Sequence, residues 1–213
     1  FLLLFLVSTS ISRAGTHPHG AEILFFKGIV KVKSSTSSIA GVEKGEVLIE
    51  GDTLKTGTGS FAILRFSDNS TLKIHPDSEF LIESLVEPVD DEILGSTNIF
   101  LNFGQVLIDV INTKEAPIFH IKTKSVAMGV RGTKFFAGID KATGHTELAV
   151  NKGVVEISKH GQETHKEAIE AGHGIHVEKE GFTQPQRYDW VKDLDFNTMN
   201  KSTDVKKLQD LHV

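Results

Sequence analysis

Phe61-Ala-Ile-Leu-Arg-Phe66, Ser67-Asp-Asn-Ser70 and Thr71-Leu-Lys-Ile74 form the stretch whose reading decides the fold class. Two short apolar runs flank four small polar residues, and Asp68-Asn69 tolerate the positive φ that a tight hairpin turn demands. The pattern predicts a β-hairpin. Thr146-Glu-Leu-Ala-Val150 and Val154-Val-Glu-Ile157 repeat it across Asn151-Lys152-Gly153, where Gly153 supplies the left-handed residue of a three-residue loop. From Ile23 to Val177 the apolar residues come in period-two runs punctuated by Gly, Asn, Asp and Pro at hairpin spacing. Further strands are expected at Ile29 to Lys33, Val47 to Ile49, Phe80 to Ser84, Ile99 to Phe103, Val106 to Ile111, Ile118 to Thr123, Lys134 to Ile139 and Gly174 to Val177. No helical pattern of globular length interrupts them.

Several of these strands are apolar on both faces. Ala62, Leu64 and Phe66 stand opposite Phe61 and Ile63, so both sides need cover, and one open sheet would leave too much apolar surface in water. The expected class is all-β, a two-layer or rolled antiparallel sheet, either a sandwich or a short solenoid. Ser34 to Ser38, polar, and Glu87 to Gly95, acidic, read as loops at mobile edges. Beyond Pro185 the texture changes: Tyr188, Val191, Leu194 and then Val205, Leu208, Leu211 recur at three-residue spacing. Residues 185–213 are therefore expected to be a short C-terminal helical extension, with Ser202 or Thr203 capping a last helix, or else a solvated tail.

The 213 residues, 39% hydrophobic and 24% charged, are enough for a real core in one large β domain. A net charge of -5 argues against a general nucleic-acid binder. The absence of cysteine excludes thiol catalysis, thiolate metal sites and disulfides. Phe1 to Val7 is wholly apolar and is followed by Ser12-Arg13-Ala14, with small residues at both key positions of a cleavage site. Residues 1–14 read as the remnant of an export signal cleaved after Ala14, with a truncated membrane anchor as the alternative. Membrane association is expected only in that second case.

The usual enzyme signatures are missing: no Gly-x-Ser-x-Gly elbow, no His-Glu-x-x-His, no Walker loop and no Gly-x-Gly-x-x-Gly opening a helix. Thr56-Gly-Thr-Gly-Ser60 lies between strand-like runs with no following helix, and reads as a turn. The ten histidines include the clusters His17 and His19, His160 and His165, and His173 and His176. On a strand His173 and His176 point to opposite faces, and His17-Pro-His19 with Glu22 only loosely resembles half of a cupin metal motif. Glu43, Glu46, Glu50 and Asp52, like Asp90, Asp91 and Glu92, lack a spacing that fixes an acid and a base. No metal and no cofactor is expected. A jelly-roll enzyme, metal- or glycan-dependent and using clustered histidines and carboxylates, is the alternative.

The glycine-centred blocks resemble a known family. Gly51-Asp52-Thr-Leu-Lys-Thr-Gly57, Ser60-Phe-Ala-Ile-Leu-Arg-Phe66 and Asp68-Asn-Ser-Thr-Leu-Lys-Ile74 are similar to the first half of the FecR domain. Leu101-Asn-Phe-Gly104-Gln-Val-Leu-Ile-Asp-Val110, Phe119-His-Ile-Lys-Thr123, Val130-Arg131-Gly132-Thr133-Lys-Phe135 and Val150-Asn-Lys-Gly153-Val-Val-Glu-Ile157 follow in the family's order. The resemblance covers about residues 20–180. It differs at Asn69, where the family usually has Gly and where Asn also accepts positive φ.

The resemblance implies an exported, non-enzymatic sensory or interaction domain facing the periplasm. It implies an envelope protein or cell-wall ligand as partner. Well-known members pass a signal from an outer-membrane receptor to a sigma-factor regulator; here a free-standing domain without the cytoplasmic anti-sigma part is expected. Gly51, Asp52, Gly104, Arg131, Gly132, Thr133 and Gly153 are the structural motif residues. Gly132 calls for positive φ or close backbone approach. Arg131 is expected to be partly buried, tying strands together through Asp52 and Asp68, with ligand binding as its alternative role.

Overall fold

A computed structural model describes residues 20–34, 39–89, 92–111, 118–161, 166–178, 181–196 and 210. The chain alternates between two layers, A and B. β1 (Ala21–Lys27) lies in A, β2 (Val30–Lys33) and β3 (Ala40–Gly41) in B, and β4 (Val47–Leu48) returns to A beside β1. β5 (Thr53–Thr56) is in B, the hairpin of β6 (Phe61–Arg65) and β7 (Thr71–Ile74) in A, and β8 (Glu79–Ser84) in B. β9 (Glu87–Val89) and β10 (Glu92–Leu94) pair only with each other, and β11 (Ser96–Asp109) follows. Then β12 (Ile118–Lys122) and β13 (Val126–Val130) form in B, β14 (Lys134–Ile139) and β15 (Thr146–Lys152) in A, and β16 (Val154–Lys159) and β17 (Lys166–Glu170) in B. β18 (His173–Glu178) closes layer A with the short β19 (Gly181–Phe182) and β20 (Gln186–Arg187).

The strand order is β4-β1-β6-β7-β11-β14-β15-β18 in A and β3-β2-β5-β8-β11-β12-β13-β16-β17 in B. The 14 residues of β11 belong to both. The two strands expected at Ile99 to Phe103 and Val106 to Ile111 are thus halves of one. Asn98 to Phe103 pair with β8 in layer B, and Gly104 to Asp109 pair with β14 in layer A. Gly104 stands at the crossing with φ of 96°, and a Cβ there would overlap Ser78. Among the described residues every pairing is antiparallel except β11 with β12.

Inward residues of both layers fill one core. Ile23, Leu64, Ile74, Ile108, Phe135 and Leu148 of layer A meet Leu54, Phe80, Ile99, Phe119, Met128 and Ile157 of layer B. The edge-to-face contact of Phe66 with Phe119, centroids 5.0 Å apart, joins the layers. Phe61 and Ile63, on the other face of β6, are also buried, as their apolar character requires.

The outer face of layer A carries a second, smaller core. Leu107, Phe136 and Ala149 point away from the sandwich and are covered by Tyr188, Trp190, Val191 and Leu194. Phe136 and Trp190 meet edge to face with centroids 5.6 Å apart, and Asn151 Nδ2 donates to Val191 O at 2.8 Å. The covering segment is a strap whose only helical part is a 3-10 turn, Asp189–Asp193. The apolar spacing of three at Tyr188, Val191 and Leu194 fits this 3-10 repeat. The second stripe, from Val205, lies outside the described residues, as do residues 1–19 with the expected export signal.

The acidic segment expected as a loop at Glu87 to Gly95 is instead the β9–β10 hairpin, with Val89 opposite Glu92 and Pro88 opposite Ile93. Val89 and Ile93 supply β-branched positions that the run of acids obscures. Of the polar loop Ser34 to Ser38, residues 35–38 lie outside the described residues.

Candidate functional site

The motif residues are corners. Gly51, with φ of 85°, and Asp52 turn the chain between β4 and β5. Asp52 is buried, its carboxylate accepts from Ile49 N at 3.0 Å, and its carbonyl accepts from Ile82 N at 3.0 Å. At the β13–β14 corner Gly132 has φ of 61°, and the buried Thr133 hydroxyl lies 3.1 Å from Arg131 O and 3.0 Å from Val154 O, either of which accepts its proton. Gly153 has φ of 84°, and a Cβ there would come within 2.9 Å of Gly132 O. These corners then link in series: Val110 N donates to Thr133 O at 2.9 Å and Ala171 N to Gly153 O at 3.1 Å.

Arg131 departs from expectation. It is exposed, and neither Asp52 nor Asp68 is its partner. With Gly132 left-handed, the corner turns Thr133 inward instead, and its hydroxyl, with one proton to give, donates to the carbonyl of Val154 or to that of Arg131 itself. Asp68 caps its own turn, accepting from Ser70 N at 2.8 Å and from the Ser70 hydroxyl at 2.7 Å.

Among the described residues, the carboxylates and histidines singled out by the sequence do not gather; Asp90 and Asp91 lie outside them. Glu46 accepts from Glu43 N at 2.8 Å within its own turn, and Glu50 accepts from Leu85 N at 2.8 Å, tying the β4–β5 corner to the end of β8. His17, His19 and His165 lie outside the described residues. Among the described residues, no group of three or more His, Asp or Glu is placed to hold a metal ion. Thr56 to Ser60 is a β5–β6 corner, in which the Ser60 hydroxyl accepts from Ile29 N at 2.8 Å.

What does gather is a set of residues on the outer face of layer B. A groove of about 570 Å³ is lined by Ile29, Lys31, Lys33, Ile39, Lys55 and Leu81, among others. Val30-Lys31-Val32-Lys33 is expected above only as part of a strand; its strict alternation, with both valines buried, is the signal that puts both lysines on one outer face. Lys31 lies directly opposite Lys55 in the β2–β5 register. Like charges in that position repel. Glu79 engages Lys55 at 3.2 Å and accepts from Asn102 Nδ2 at 3.2 Å. Among the described residues neither Lys31 nor Lys33 forms an ion pair. The ammonium of Lys141 lies 4.5 Å and that of Lys55 5.5 Å from the Phe103 ring centroid, which adds further positive charge beside the groove. Ile29 and Ile39, 65% and 62% exposed, give the groove an apolar rim. This surface offers ammonium groups, aliphatic contact and one carboxylate already engaged.

Residues 52–156 match the sequence profile of the family described as FecR protein. This stretch is a FecR domain. It runs from the Asp52 corner to Glu156 in β16, so β2 and the Tyr188–Leu194 strap lie outside the matched FecR region. Two crystal structures of a "putative anti-sigma factor" from Parabacteroides distasonis share the fold, each with a TM-score of 0.52 at 14% identity. The alignment covers 64% of this chain and 60% of that one. At that identity the likeness is one of fold. A search of curated proteins gave no match.

Proposed function

We propose that this chain is a non-enzymatic, exported binding and signalling module that recognises a protein partner at the cell envelope from the periplasmic side. The observation that carries the reading is the contrast between the rigid, hydrogen-bonded corners of the region matched as FecR and the open, positively charged groove on layer B, to which β2 contributes from outside that region. Rigid β scaffolds that hold a recognition surface in place are a common solution for binding proteins. The apolar run Phe1 to Val7 with Ser12-Arg13-Ala14 supports export. Among the described residues no helix is long and apolar enough to cross a membrane, which leaves β-barrel spans unaddressed.

The test has two arms. Mass spectrometry of the protein recovered from the periplasmic fraction is expected to find an amino terminus after Ala14, and a cytoplasmic chain retaining residues 1–14 contradicts export. The full chain, immobilised, is expected to retain a specific protein from envelope extracts of its source organism. Retention of none contradicts the binding role.

A further inference from the structure

We infer that the layer B groove docks an extended acidic segment of a partner protein, with carboxylates at alternate positions and an aliphatic residue two positions away; this rests on the binding role proposed above. Ile29, Lys31 and Lys33 stand at every second residue and are all exposed, so they form one row along β2. A strand advances about 6.8 Å per two residues, so an extended chain laid along that row meets the two ammonium groups with side chains i and i+2. Its residue i-2 or i+4 then reaches Ile29, according to direction.

The positive charge is local. The chain as a whole carries -5, yet the groove places Lys31, Lys33 and Lys55 together against Glu79 alone, with Lys31 and Lys55 facing each other across the ladder. A carboxylate set between these two lysines relieves their repulsion, which an apolar or cationic occupant does not. Elsewhere on this outer face two lysines are matched by carboxylates: Lys122 with Glu83 at 3.0 Å and Lys166 with Glu156 at 2.8 Å. The unmatched positive charge coincides with the exposed isoleucines, and that coincidence favours a peptide over a purely anionic polymer.

The experiment uses the full chain and a fluorescein-labelled peptide, Ile-Ser-Glu-Ser-Glu-Ser-Ile-Ser-Glu-Ser-Glu, read by fluorescence anisotropy. Saturable binding is expected, weakened about tenfold or more by the double change Lys31→Glu with Lys33→Glu, and weakened by raising salt from about 0.05 M to about 0.5 M. Ile29→Ser is expected to weaken it by a smaller factor. A peptide of the same composition with adjacent glutamates, whose carboxylates point to opposite faces, is expected to bind less tightly. The charge reversals replace exposed side chains and put opposite charges across the β2–β5 ladder, and unchanged urea midpoints are to verify that they fold. Absence of saturable binding, equal binding by the double variant, equal binding of the rearranged peptide, or tighter binding to phosphatidylglycerol vesicles than to the peptide overturns the inference. A partner retained from envelope extract equally by wild type and double variant also overturns it while the proposed binding role stands; retention of no partner removes that role itself.

Discussion

The outer faces of the two layers start from similar strands and end differently. On layer A, Leu107, Phe136 and Ala149 are sealed beneath Tyr188, Trp190, Val191 and Leu194, and even Lys73 is buried, its ammonium donating to Asp195 O at 3.2 Å. Burial pushes the Lys73 pKa down, and the Asp195 carboxylate partly opposes that shift. On layer B the lysines of the groove stand in water, and ion pairs rather than a strap cover the strands beyond it. The difference is one of burial: the strap makes the outer face of layer A part of the core, whereas among the described residues the groove of layer B is exposed, as the proposed binding role requires.

The largest effect is expected where that comparison is attacked on the sealed side. Phe136→Ala removes a fully buried ring that also meets Trp190, and should cost about 3–5 kcal/mol in urea unfolding. Lys31→Ala on the open face should stay within about 0.5 kcal/mol of wild type. Comparable losses from the two would erase the distinction between the faces.

Next comes the strand that joins the layers. Gly104→Val places a β-branched side chain at φ of 96° against Ser78, whose hydroxyl accepts from Gln105 N at 2.9 Å. A loss of about 2 kcal/mol or more is expected from strain and overlap together. An unchanged urea midpoint would show that the crossing does not depend on glycine.

A smaller, pH-dependent effect compares the faces through one histidine on each. The pKa of His120 on layer B is lowered by burial and then by Lys122 and Lys166; that of His176 on layer A is lowered by burial and by His145, with Glu178 opposing. Both bind protons less readily folded than unfolded. Stability is therefore fullest above the ordinary histidine value of 6.5, declines as pH falls through it, and reaches its full loss below the depressed folded values. The urea midpoint should drop between about pH 7 and about pH 5, and His120→Gln should flatten part of that drop. A profile unaltered by the substitution would remove His120 from the account. The smallest effect belongs to the exposed Lys166–Glu156 pair, where Glu156→Gln should cost no more than about 0.5 kcal/mol.

The all-β class and the paired hairpins were legible because period-two alternation and Asn or Gly turns are local signals. Asn69 at φ of 66° and Gly153 at 84° mark those turns. The continuity of β11 was not legible, because a left-handed glycine inside a crossing strand looks the same in sequence as one in a turn. Arg131 was misjudged for a related reason: the backbone turn at Gly132 decides whether residue 131 or 133 faces inward, and composition does not carry that choice. Lys73 reads as a solvent-facing position of an alternating strand, and only the strap, more than a hundred residues later in the chain, buries it. The groove was legible in part. Val30-Lys31-Val32-Lys33 encodes a lysine face, whereas its juxtaposition with Lys55 and Ile39 is a product of the β2–β5 and β2–β3 pairings.

The asymmetry of the two faces can be read in one measurement, because lysines sit on both. Brief acetylation of the native chain with an amine-reactive ester, followed by peptide mass spectrometry, compares Lys31 and Lys33 with Lys73, which is 4% exposed. The account predicts rapid modification of Lys31 and Lys33, and modification of Lys73 only at the rate of unfolding or after Trp190→Ala with Leu194→Ala loosens the strap. Modification of Lys73 as fast as that of Lys31 in the native chain would contradict it, because layer A would then be as open as layer B.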